Sequence, residues 1–253
     1  MHILNNPAKA SLLFTGQHDT MLFSCLQGIM GEIYVDDQEE PISAIAIVGD
    51  FACLAGQPSE MLLREFADMR GHAYLILVGS DQAWNTLIEE VFGSQVKAFT
   101  RYALKKREHS FDKSMLHSTV DALKEGYIVK PIDEPLYHQC LSQSWSKDLV
   151  SLFPNYQLYA EHGLGFCALR YGKIVSGASS YYFYEGGIEI EVDTHPDHRR
   201  QGLAAACSAK LILTCLDRGL FPSWDAHTKQ SLQLALRLGY HFDHEYAAYE
   251  LLS

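Results

Sequence analysis

The chain has 253 residues, of which 47% are hydrophobic and 20% charged, a balance that supports a packed core and excludes the disordered and fibrous classes. The formal net charge of -11 excludes non-specific binding to nucleic acid or an anionic membrane, since polyanions would be repelled. No apolar run reaches the roughly 18 residues that span a bilayer, and no basic-then-apolar leader opens the chain, so a soluble cytoplasmic protein is expected.

From the amino terminus, Met1 to Gly31 carries mixed helical signals, with Leu12, Leu22, Phe23 and Leu26 able to line one face. Glu32 to Val35 and Ile42 to Val48 read as a strand pair across the polar turn Asp36 to Pro41. Ser59 can cap a helix that places Leu62, Leu63, Phe66 and Met69 inward and stops at Gly71. Ala73 to Val78 is an apolar run of strand length. Asp81 opens a second helix, in which Trp84, Leu87, Ile88, Val91 and Phe92 follow the helical period. Val96 to Leu104 reads as a strand. The charged stretch Lys105 to Phe111 resembles a linker start, and Asp112 to Gly126 holds one more helix. These signals suggest an amino-terminal α/β domain over residues 1–125 and a second domain over 126–253.

The second half opens with a strand at Tyr127 to Pro131 and a helix capped by Asp133, with Leu136, Cys140, Trp145 and Leu149 on its apolar side. Gly165 to Leu169 and Ile174 to Tyr182 form a hairpin, followed by a strand from Ile188 to Thr194. A long helix from Gly202 to Arg218, a strand near Phe221 to Ala226, a helix from Ser231 to Leu238 and a strand from Tyr246 to Leu251 complete the order. The six cysteines (Cys25, Cys53, Cys140, Cys167, Cys207 and Cys215) show neither CxxC nor zinc-finger spacing, so buried free thiols and no metal are expected.

Chemistry concentrates in Glu191 to Ala204, a strand end, a basic loop and a helix start. Helix N-termini present unbonded N–H groups and the positive end of the dipole, which suits an anion. Gly202 allows close backbone approach, and Arg199 and Arg200 add fork-shaped donors for phosphate oxygens. The physical reading is a phosphate or pyrophosphate site; a solvated basic turn is the plainer alternative. On the strand before it, period two puts Glu189, Glu191 and Asp193 on one face, opposite Ile188, Ile190 and Val192. Three carboxylates on one face raise at least one pKa and attract a cation.

The run Arg199-Arg200-Gln201-Gly202-Leu203-Ala204 resembles the (Arg/Gln)-x-x-Gly-x-(Gly/Ala) loop of the GNAT acetyltransferase superfamily. Val192 to His198 looks like the end of that family's fourth strand, and Ser231 to Tyr240 like its late helix ending in Leu-Gly-(Phe/Tyr). The resemblance covers about residues 127–253, and within the superfamily it points to the branch that includes zwittermicin-resistance acetyltransferases. It implies an α/β (α+β) GNAT fold, a mixed twisted sheet flanked by helices. It also implies an N-acetyltransferase that moves an acetyl group from acetyl-CoA to a small-molecule amine by direct attack, as a monomer or homodimer without a metal.

By resemblance, Val192, Asp193 and Thr194 line the acetyl and pantetheine arm, and amides from Arg199, Arg200, Gln201, Gly202, Leu203, Ala204 and Ala205 hold the pyrophosphate. The Val192 N–H is the implied donor to the thioester oxygen. Glu191, then Glu189, is favoured as base, and Trp224 and Asp225 fall at the pocket. The chain departs from the family at Thr228, where many members have Asn, and at Ala235, where many carry the tyrosine that protonates the leaving thiolate. Ser231, Tyr240 or water is left for that role, and a non-catalytic acyl-CoA sensor is the competing function. The first half shows a similar element order, as a degenerate GNAT-like duplicate would. Its stretch Phe51 to Pro58 has no arginine and no Arg-x-x-Gly-x-Ala spacing, so no cofactor is expected there.

Overall fold

The computed structural model describes residues 1–17, 19–71, 74–106 and 111–252. The expected strand start at Ala73 and the core of the linker stretch, 107–110, lie outside these. The chain forms two compact units: Met1–Arg101 with Glu245–Ser253, and Tyr102–His244. The expected boundary near Gly126 therefore falls inside the second unit. The helix expected before it packs on the long helix of that unit, which keeps it on the carboxy-terminal side of the division.

Unit 1 contains β1 (His2–Ile3), α1 (Thr20–Leu26), β2 (Glu32–Val35), β3 (Ser43–Val48), β4 (Phe51–Gly56), α2 (Glu60–Arg70), β5 (Leu75–Gly79), α3 (Gln82–Phe92) and the start of β6 (Val96–Leu104). β2, β3 and β4 are successive antiparallel neighbours, and β4 pairs β5 in parallel through the crossover α2. Phe51–Gly56 is thus a central strand; its small apolar residues are buried between two neighbours, and no alternation marks it in sequence. The helix signals hold: Ser59 and Asp81 side chains accept from the Leu62 and Trp84 N–H groups. Met69 is exposed, and Ala67 takes the inward position instead.

Unit 2 continues with the end of β6, α4 (Lys113–Asp121), β7 (Ile128–Pro131), α5 (Glu134–Leu141), α6 (Tyr156–His162), β8 (Gly165–Arg170), β9 (Lys173–Tyr184), β10 (Gly187–Thr194), α7 (Leu203–Asp217), β11 (Phe221–Ser223), β12 (Asp225–Ala226), α8 (Lys229–Arg237) and the first residues of β13 (Phe242–Leu251). Its sheet has the order β11-β10-β9-β8-β7. All pairs are antiparallel except β10 with β11, again joined by a crossover helix, α7. The sequence β3-β4-α2-β5 in unit 1 and β9-β10-α7-β11 in unit 2 therefore follows one plan.

α7 is buried on most sides, between the sheet and α4, which explains why Leu203, Cys207, Leu211 and Cys215 are all enclosed. On the other side of the sheet lie α5, α6 and the 3-10 turn Lys147–Leu149. Leu149 is buried against Gly177, where any side chain would collide with it. α5 ends at Leu141, so Leu149 is not on that helix, and α6, capped by Asn155, is an element that sequence patterning misses. All six cysteines are buried and none forms a disulfide, and burial pushes the Cys25, Cys207 and Cys215 thiols up to about 12.

Candidate active site

β10 pairs β11 only through Gly187↔Phe221, Ile188↔Pro222 and Glu189↔Ser223. Trp224 then breaks the strand, and Asp225–Ala226 turn away to pair with Ala103 and Tyr102 of β6. The single strand expected at Phe221 to Ala226 is two short strands with different partners. From Ile190 to Thr194, β10 keeps β9 on one edge and, among the described residues, has no strand on the other.

The polarity of that open edge follows from the ladder. His195 N–H donates to Val175 O at 3.0 Å, so it faces β9. In an antiparallel ladder alternate residues face alternate edges. Asp193 therefore turns its backbone to β9, where its carbonyl also accepts from Ser176 Oγ at 3.0 Å. Val192 and Thr194 turn their N–H and C=O groups to the open edge. Of the three residues expected to line a ligand by backbone, only these two offer it; Asp193 offers its side chain. Among the described residues, side chains meet the open edge at Val192 and at Thr194. Val192 N–H donates to Glu191 Oε1 at 3.1 Å, and Arg199 Nε donates to Thr194 O at 3.3 Å.

Ile188 and Ile190 are buried in the α7 core and Val192 packs against it, so Glu189, Glu191 and Asp193 share the opposite face. Glu189 is 6% exposed, while Glu191 and Asp193 are half-buried. Desolvation, with Asp148 nearby, pushes the Asp193 carboxyl from 3.8 up to about 6, and Arg199 opposes the shift. An acid whose folded pKa exceeds its unfolded value loses folded-state stability as pH rises between the two. Asp193→Asn is accordingly expected to raise Tm above pH 6, with the gain shrinking to nothing as pH falls to about 4. Thermal melts of both proteins from pH 4 to 8 measure this; a gain independent of pH would contradict it.

After β10, His195 caps the short turn Pro196–His198, and His198 meets the Tyr127 hydroxyl at 3.2 Å. Arg200 has φ 58 and Gly202 φ 82, two left-handed residues bracketing Gln201. Left-handed residues are one component of the backbone concavities whose N–H groups bind anions. α7, 15 residues long, then starts with no side chain capping its N-terminus. Leu203 is buried and anchors the helix, while Ala204 and Ala205 are half-buried beside it. Gln201 is held by Lys124 Nζ at 2.9 Å. Loop and open edge together fit a ligand that is anionic at one end and peptide-like along its length.

Unit 1 is built differently at both counterpart positions. The α2 N-terminus is capped by its own Ser59, and β4 stays paired with β5 through Leu54↔Gly79. Just beyond, the fully buried Trp84 indole donates to Gly56 O at 3.0 Å.

The remaining expected residues have structural partners. Trp224 is 3% exposed in the core, and its indole N–H donates to Ser231 Oγ at 3.0 Å. Asp225 is half-buried on β12. Thr228 caps α8 by accepting from the Ser231 N–H. The buried Tyr240 hydroxyl donates to Pro222 O at 2.5 Å, and burial holds its pKa well above the usual phenol value. Ala235 is fully buried. No group of three metal-ligating side chains is placed to hold a metal among the described residues. No helix there is long and apolar enough to cross a membrane.

The GNAT acetyltransferase model matches residues 11–249, and this chain is a member of that family. The match extends through unit 1, well beyond the stretch where sequence resemblance is visible. A GCN5-related N-acetyltransferase-like protein from Streptococcus suis 89/1591 is 50% identical, with TM-score 0.92 over 97% of this chain and 98% of that one. An uncharacterized N-acetyltransferase, YdfB, from Bacillus subtilis (strain 168) is 25% identical over 240 residues, 91% of this chain and 89% of its own. In fold alone, the chain also resembles a tandem GNAT protein from the clavulanic acid biosynthesis pathway, 12% identical with TM-score 0.58 over 97% of this chain and 92% of that one.

Proposed function

We propose that unit 2 binds acetyl-CoA and transfers its acetyl group to the amine of a small molecule. One observation carries the reading: the β10 edge opens directly beside the uncapped start of α7. The amides from Arg199 to Ala205 would hold the pyrophosphate, helped by the Arg200 and Gly202 geometry. Arg199 is exposed and its Nε is spent on Thr194, so its charge supplements a site made of backbone. The pantetheine arm suits the Val192 and Thr194 backbone, as an added strand would. When bound, acetyl-CoA supplies the activated acyl group.

The chain's own groups do the rest. In this reading the Val192 N–H donates to the thioester oxygen as it gains charge. Glu191, with Glu189 on the same face, takes the amine proton, and the acid face of β10 attracts an ammonium form of the acceptor. Ser231 and Tyr240 keep structural roles, which leaves protonation of sulfur to water. Unit 1 reads as a degenerate copy whose helix cap and Trp84 occupy the counterpart positions.

Ala235 in place of a tyrosine favours a second reading, an acyl-CoA sensor without turnover. Thiol release from acetyl-CoA across a panel of small amines separates the two. Release that depends on one amine class is expected; tight acetyl-CoA binding with no release from any amine would establish the sensor.

A further inference from the structure

The open edge of β10 is not bare. Glu191 bends over its own strand so that Oε1, at 3.1 Å, accepts from the N–H of the next residue, Val192. That N–H faces the side on which β11 has already left. Two residues on, the outward carbonyl of Thr194 accepts from Arg199 Nε at 3.3 Å. A carboxylate oxygen thus fills the place of a ligand carbonyl, and a guanidinium N–H the place of a ligand amide N–H. Together they meet two of the backbone groups that an added strand would engage, the Val192 N–H and the Thr194 carbonyl.

We propose that Glu191 is an internal stand-in for the acyl donor: it holds the Val192 N–H in the free protein, and the donor's carbonyl displaces it and so releases it as the base. This rests on the acetyl-CoA reading above. It has two physical consequences. The donor must compete with a charged acceptor that is covalently tethered next to the donor's own hydrogen-bond site, which weakens its binding. The base is also withheld until the donor is seated, so binding of the donor prepares the site for the amine. In transfer, the amine nitrogen forms its bond to the acyl carbon, the carbon–sulfur bond breaks with its electron pair on sulfur, and the released Glu191 carboxylate takes the amine proton.

Titration calorimetry on the full chain tests this with two probes, acetyl-CoA and 3′,5′-ADP, the second of which reaches only the phosphate loop. Glu191→Ala removes the competing acceptor, so acetyl-CoA should bind about five-fold more tightly, the worth of one modest hydrogen bond. Affinity for 3′,5′-ADP should not change. Glu191→Gln keeps an acceptor for the same N–H and should bind acetyl-CoA between the other two proteins, and both variants should turn over slowly. Unchanged or weaker acetyl-CoA binding by Glu191→Ala overturns the displacement. So does equal tightening for both probes, because that reports only a lost negative charge. Wild-type protein that binds neither probe removes the acetyl-CoA reading itself, and the displacement with it.

Discussion

Gly202→Glu is expected to abolish CoA binding, with a loss of more than about a thousand-fold in affinity. Gly202 sits at φ 82, where a side chain strains the backbone, and a Cβ built there meets nothing within 4 Å. The backbone strain, about 1–2 kcal/mol for an L-residue in this region, burdens free and bound protein alike and so lowers stability more than affinity. The carboxylate is different. Placed about 4 Å from a pyrophosphate at an effective dielectric near 20, one negative charge costs about 4 kcal/mol for each phosphate charge it faces. In the proposed site backbone amides hold the phosphates, so no side-chain rearrangement offsets that repulsion. Gly202→Ala separates the two effects: it should melt a few degrees lower yet keep CoA affinity within several-fold. Calorimetry with CoA on wild type and both variants provides the check. Equal binding by wild type and Gly202→Glu would remove the loop from the site.

Trp84→Ala is expected to produce the largest loss of stability, about 3–5 kcal/mol for the emptied volume alone. Trp84 is fully buried in the unit 1 core, and its indole N–H satisfies Gly56 O. Truncation leaves a cavity among Leu62, Leu63 and Ile88 and a buried carbonyl without that donor. For a unit of about a hundred residues this corresponds to a fall in Tm of at least about 10 °C. Trp84→Phe restores most of the ring and should recover most of that loss, leaving chiefly the missing hydrogen bond. Differential scanning calorimetry of the three proteins measures both steps; a Trp84→Ala melt within 3 °C of wild type would show that the indole is not what fills this position.

Local signals in the sequence carried well into the structure. The caps expected at Ser59, Asp81 and Asp133 form, and β6 runs from Val96 to Leu104 as expected. The face shared by Glu189, Glu191 and Asp193 follows from strand period alone. What stayed hidden depends on neighbours distant in the chain. The run Phe51–Gly56 gives no alternation because both its faces are buried. α6 is a seven-residue helix that covers the sheet mainly through Tyr159. The break at Trp224 arises because β11 and β12 pair with different strands, and residues from Glu245 return to unit 1, choices that no local pattern encodes. The bond from Val192 N–H to Glu191 Oε1 is possible only because β11 leaves that edge open.

A crystal structure of the full chain with CoA bound tests the site most directly. The pyrophosphate is expected on the amides from Arg199 to Ala205, with the pantetheine arm along the Val192 and Thr194 edge and the sulfur on the side of β10 that β11 has left. Glu191 Oε1 should have moved off the Val192 N–H. CoA bound elsewhere, or a β10 edge still closed by Glu191 beneath a bound cofactor, would contradict the assignment.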